Sequence, residues 1–176
     1  MQVTTLKIRQ YPDLVLRKKS VPVDDVGLAE KLLIQAMIQT MAEHKGIGLA
    51  APQVGINKRI LVADIGDGPM AVINPQIIRR SATMSKQEEG CLSIPGVTVD
   101  VRRPKKIFVK YLNENNQKIE KDFDGLLARV ILHETDHLNG KLIIDYVSVF
   151  KRRKLLEQIK NRSEKKEEFN GSYPAK

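Results

Sequence analysis

The chain has no Trp, a single Cys and only 5% aromatic residues in 176, with no apolar run long enough to span a bilayer. The lone Cys91 excludes an intrachain disulfide and fits a reducing compartment. The longest apolar stretches, such as 60–63 and 130–132, fall far short of the ~18 residues a membrane helix needs, so no membrane association is expected. The first ten residues carry neither an apolar segment with a cleavage site nor the Arg and Ser richness of a transit peptide, which makes the cytoplasm the expected location. Repeats, low-complexity blocks and linkers are also missing. What is present is an ordinary globular composition, 41% hydrophobic and 29% charged. That is enough for one compact domain of radius about 16 Å. We expect this domain to span residues 1–166, with 167–176 as a frayed tip.

The net charge of +9 is uneven, because residues 151–176 hold nine Lys or Arg against four Glu, a local +5. Such a basic end fits an anionic partner such as RNA, and equally a solvated helix face. After a Pro-punctuated opening, Asp24 and Asp25 are placed to cap a helix whose apolar positions are Leu28, Leu32, Leu33, Ala36, Met37 and Met41. Short β-rich runs at 59–64, 71–73, 97–101 and 105–112 follow, broken by Gly, Pro and Asn. Residues 125–138 read as a second helix, apolar nearly all round and therefore buried, with Asp124 as N-cap and Gly140 as its left-handed stop. A last amphipathic helix over about 148–161 sets Leu155, Leu156 and Ile159 against cations. The absence of regular strand-helix alternation gives an α+β fold: small antiparallel sheets around a buried metal-binding helix, with an N-terminal and a C-terminal helix beside them.

The chemistry concentrates in His133-Glu134-Thr135-Asp136-His137, a His-Glu-x-x-His pattern inside the buried helix. Residues four apart stand one above the other on a helix, so both imidazoles reach one metal ion and Glu134 reaches water beside it. Two imidazoles leave a catalytic metal short of a ligand. The extended motif with a third His fails, since its last position is Ile143. Glu157 lies at the distance of a downstream carboxylate ligand, but in a Lys/Arg-rich helix where an ion pair suits it better. Upstream, Cys91 sits among Gly and Pro in the run 88–96, and a thiolate beside two imidazoles suits Zn²⁺ or Fe²⁺. Asp136, a carboxylate next to a ligand, is a candidate to support the metal site. The small-residue run 46–55 allows close approach to its main chain, and Gln53 in it can donate to a substrate oxygen. His44 reads as an exposed helix-end residue.

Three segments in this order, Gly46, Gly48, Ala50, Ala51 and Gln53, then Glu89, Gly90, Cys91, Leu92 and Ser93, then His133, Glu134, Asp136 and His137, resemble the signature of the peptide deformylases. These are metal-dependent hydrolases that remove the formyl group from the formyl-Met of new polypeptides and release formate. The resemblance implies that Cys91, His133 and His137 bind the metal, with Fe²⁺ favoured in the cell and Zn²⁺, Ni²⁺ or Co²⁺ also accepted. Glu134 is then the acid/base, and the Gln53 side chain and the Leu92 N–H receive the oxyanion. Gly46, Ile47, Gly48, Leu126 and Val130, with the His133 ring, would bind substrate. The residue before the first metal His is Leu132, where the family usually has Gln. The resemblance also implies formyl-Met nascent peptides as partners, and ribosome docking through the basic C-terminal helix, with no role for DNA. Two other classes fit parts of the pattern: an endopeptidase using Glu157 as third ligand, and a non-catalytic RNA- or ribosome-binding module.

Overall fold

The computed structural model describes residues 4–171, with side chains described as far as residue 160. Two antiparallel sheets and three α-helices form it. The larger sheet has the order β1-β2-β3-β6-β7, built from β1 (Gly48–Ala50), β2 (Ile60–Ala63), β3 (Met70–Arg80), β6 (Lys106–Leu112) and β7 (Lys118–Asp124). The smaller is a pair, β4 (Met84–Gly90) with β5 (Thr98–Pro104). Helix α2 (Gly125–Leu138) packs against strands of both sheets, and ten of its residues are buried. The α+β reading therefore holds, and α2 has the expected bounds with Asp124 at its N-cap and Gly140 at φ +72°. The left-handed stop is reinforced by packing, since a Cβ on Gly140 would lie 2.4 Å from the Arg17 carbonyl oxygen.

Helix α1 (Leu28–Glu43) departs from expectation at its cap and on its face. Its N-cap is Gly27, whose N–H donates to Glu30 Oε2 at 3.1 Å, rather than Asp24 or Asp25. Ile34, Met37 and Met41 face β1 and β2, whereas Leu28 and Leu32 are 73% and 55% exposed. Buried Thr40 fixes that rotation, because its hydroxyl donates to Ala36 O and accepts from the Leu6 N–H.

β3 extends well beyond the apolar triplet that marks it in sequence. Pro75 cannot donate to a ladder, and the register with β6 breaks between Ile73 and Gln76. At that break Asn74, at φ +53°, turns its side chain to both polar groups of Val23.

Helix α3 runs Val149–Gly171 among the described residues, about ten residues past the expected end. Residues 167–171 therefore belong to this helix, while 172–176 lie outside the described residues. Leu155, Leu156 and Ile159 pack on the core around β5 and the 3-10 turn Ile143–Tyr146, as their spacing predicts.

Asp145 ties that turn to the chain start. It accepts from both terminal nitrogens of Arg17 and from the Leu142 N–H at 2.9 Å, and lies 3.2 Å from Arg152. Burial alone would raise its pKa, but the hydrogen bond to Arg17 and its other partners outweigh burial and lower it. A carboxylate depressed by folding adds stability above its unfolded pKa of about 3.9, and that contribution is lost as pH falls through the folded value. Asp145→Asn should lower stability at pH 7 by about 1 kcal/mol, the worth of its charged hydrogen bonds to Arg17 after solvent screening. In urea unfolding, its gap from the parent should close as the pH drops below about 4.

Candidate metal centre

Cys91 follows the last residue of β4 in a turn closed by the Ile94 N–H donating to Cys91 O at 2.9 Å. The turn brings its thiol to the face of α2 that carries His133 and His137. One donor atom from each of Cys91, His133 and His137 lies within 4.8 Å of the others, the one such cluster among the described residues. Cys91 Sγ stands 3.2 Å from His137 Nε2, and the two imidazoles meet edge to face with centroids 5.0 Å apart. Glu157, by contrast, is 65% exposed, stands 3.4 Å from Arg153 and is not part of that cluster.

The support beneath these donors was only partly visible in the sequence. His133 Nδ1 lies 3.0 Å from Glu89 Oε2, which leaves Nε2 as its free donor. Glu89 is held by two buried arginines: Arg103 donates from Nε and Nη2 at 2.6 and 2.8 Å, and Arg129 from Nη1 at 2.6 Å. Burial would raise Glu89, but hydrogen bonds from His133 and Arg103 hold it down at about 2, a permanent anion. Asp136 makes no hydrogen bond to Cys91, His133 or His137 among the described residues. It accepts from Arg103 Nη1 and the Tyr146 hydroxyl, so it supports the centre only through Arg103. Leu132 packs with Ile107, Val109, Phe123 and Ile131, so an apolar side chain suits a position where the family usually has Gln. Nothing in the sequence alone links Glu89 to Arg103 and Arg129, although an Arg inside an apolar helix is itself a signal of a buried partner.

The electrostatics fit a cation. Burial lowers His137, and the neighbouring His133, Arg103 and Arg17 lower it further, which keeps that imidazole neutral as a ligand must be. Burial opposes charge on His133 too, yet Cys91 and Glu89 raise its pKa. A divalent ion competes with that proton for Nε2 and meets the same negative surroundings. Burial also pushes Glu134 up to about 7, and its Oε2 is buried without a protein partner beside the three donors. A thiolate, two imidazoles and an unpartnered carboxylate oxygen are the donor chemistry of a catalytic metal site.

A cleft of about 590 Å³ opens over this cluster, lined by Gly46, Ile47, Gly48, Cys91, Leu92, Leu126, Val130, His133 and Glu134 among others. Gly48 is required here, because a Cβ would lie 2.5 Å from Glu134 Oε1 and 2.7 Å from Val130 Cγ1. β1 is an edge strand of the large sheet. Gln53 is buried beside Cys91: Oε1 accepts from the Ala50 N–H at 2.7 Å, and Nε2 donates to Ser93 Oγ at 3.3 Å and points its other N–H toward Cys91 Sγ across a longer 3.6 Å. The Leu92 N–H has no acceptor among the described residues. His44 is the exposed C-cap of α1, as expected.

A His-Glu-x-x-His helix completed by an upstream thiol, beneath an open peptide-sized cleft, defines a metal-dependent hydrolase. Residues 5–153 match the family described as polypeptide deformylase. The chain is 47% identical over 153 residues to the peptide deformylase of Thermotoga maritima, covering 87% of this chain and 93% of that one. Among solved structures, it is similar to peptide deformylase from Ehrlichia chaffeensis in complex with actinonin, with a TM-score of 0.87 and 39% identity over 90% of this chain and 98% of that one. It is likewise similar to the Met-Ala-Ser bound class I type b peptide deformylase from Acinetobacter baumannii, with a TM-score of 0.79 and 32% identity over 83% of this chain and all of that one. The chain belongs to the polypeptide deformylase family, metal-dependent enzymes that remove the N-formyl group from newly made polypeptides.

Proposed function

We propose that Cys91, His133 and His137 hold one divalent cation, Fe²⁺ in the cell, and that Glu134 moves the protons of deformylation. The observation that carries this is the convergence of those three donors beside a buried carboxylate oxygen that no protein group satisfies. The mixed sulfur and nitrogen set also accepts Zn²⁺, Ni²⁺ or Co²⁺. When bound, the cation acts as a Lewis acid and lowers the pKa of water.

Glu134 accepts the proton of the attacking water and returns it to the departing amine, a dual role suited to a carboxyl poised near 7. The Leu92 N–H and Gln53 Nε2 receive the oxyanion. Both flank Cys91, and Gln53 is held in that direction by its bond to Ser93. The substrate backbone adds as a strand along Gly46, Ile47 and Gly48, where the chain enters the terminal strand β1. Its Met side chain then lies against Ile47, Leu126, Val130 and the His133 ring. Ile47 and Leu126 are 45% and 48% exposed, apolar surface that a side chain in the cleft would cover. The Met-Ala-Ser bound relative supports a peptide of that composition as ligand. Formate release from formyl-Met-Ala-Ser tests the reading, and its absence in metal-loaded protein contradicts it.

No helix among the described residues is long and apolar enough to cross a membrane. We place the enzyme in the cytoplasm, where nascent chains emerge. The exposed Lys151, Arg153 and Lys154 of α3 make it the surface for docking on ribosomal RNA. Deleting 151–176 should abolish salt-sensitive ribosome binding while short formyl peptides are still hydrolysed; unchanged binding refutes the docking role.

A further inference from the structure

The cleft over the metal centre is not closed at its far end. A second cavity of about 690 Å³ adjoins it, and Gln87, Leu126 and Arg129 line both. This end lies along α2 away from the ligands, one turn from His133 at Arg129 and further on at Leu126 and Gly125. A substrate side chain passing Val130 therefore meets polar groups rather than an apolar floor.

Two of those groups are hydrogen-bond donors. Gln87 lies two residues from Glu89 on β4, so it shares the face that Glu89 turns toward α2. Its side-chain amide is exposed and has no hydrogen-bond partner among the described residues. Arg129 is fixed by bonds to Glu89, Val101 O and Ser85 O. A guanidinium carries more N–H groups than those bonds use. Charges of both signs line this end, Glu88 and Asp124 against Lys105 and Lys106, with Lys106 4.0 Å from Asp124, so neither sign of side chain is singled out. The surroundings thus favour a neutral side chain with a strong acceptor at its tip.

We infer that Gln87, beside Arg129, extends the enzyme's specificity to formyl peptides whose first residue is methionine sulfoxide. This rests on the proposed placement of the first side chain in the cleft. Oxidation converts the apolar thioether into a polar S–O acceptor of nearly the same reach. An apolar pocket floor would reject that oxygen, whereas a free amide N–H can receive it.

The test compares kcat/KM for formyl-Met-Ala-Ser, its sulfoxide form and formyl-norleucine-Ala-Ser, in the parent and in Gln87→Leu. The parent should process the sulfoxide within about fivefold of the thioether, and Gln87→Leu should lower the sulfoxide-to-thioether ratio about tenfold, the value of one hydrogen bond. The norleucine-to-thioether ratio should not fall with it. A sulfoxide ratio that is the same in both proteins, or a parent that rejects the sulfoxide, overturns the inference. Failure of the parent to release formate from formyl-Met-Ala-Ser would instead overturn the placement on which it rests.

Discussion

Replacing Glu134 with Ala should lower kcat for formyl-Met-Ala-Ser by about 10³-fold, in the range removed with a positioned general acid/base. The same variant should keep its metal, because Glu134 is not among the three donors that converge. The size of the effect follows from its surroundings. Glu134 is buried, and burial sets its carboxyl near neutrality. No other carboxylate can replace it: Glu89 is held at about 2 by His133 and Arg103, and Asp136 is occupied by Arg103 and Tyr146. Metal analysis beside steady-state kinetics checks both halves. Loss of the metal together with activity would assign Glu134 to the ligand set.

Cys91→Ala should have the opposite signature, losing both metal and turnover, with kcat/KM down by about 10³-fold or more in dilute metal. The variant leaves two imidazoles, and no other Cys, His, Asp or Glu joins their cluster among the described residues. Glu157→Ala is the informative companion. If a downstream carboxylate completed the site, Glu157→Ala would lose the ion and Cys91→Ala would keep it. Its exposure and its pairing with Arg153 predict the reverse.

Legibility in the sequence followed the strength of local signals. α2 could be bounded to the residue because its apolar run, Asp124 and Gly140 all agree, and its two histidines fall on one face. Strands β2 and β6 were legible for the same reason, each with buried apolar residues in short register. β4 and β7 were not. Their sequences, rich in Lys, Glu and Asp, have little strand character, and they form because each pairs along its whole length with a more apolar neighbour, β5 and β6. The face of α1 was half legible, since its exposed Leu28 and Leu32 carry the same periodic signal as its buried residues. In the site, His133, His137 and Glu134 announce themselves by spacing, and Cys91 by being alone among Gly and Pro. The buried ion-pair network does not, because Glu89, Arg103 and Arg129 are brought together from β4, β5 and α2 only by tertiary packing. Asp136 shows the limit of adjacency: next to a ligand in sequence, it points away to Arg103 and Tyr146.

The central claim is that a sulfur from the turn after β4 completes the metal site of α2. Its most direct test is to measure metal content and Cys91 alkylation together on the full chain purified without oxygen. The account predicts about one divalent ion per chain and a Cys91 that resists alkylation until a chelator strips the ion, since a coordinated thiolate is withheld from other electrophiles. A full complement of metal with Cys91 alkylated equally fast before and after chelation would contradict it.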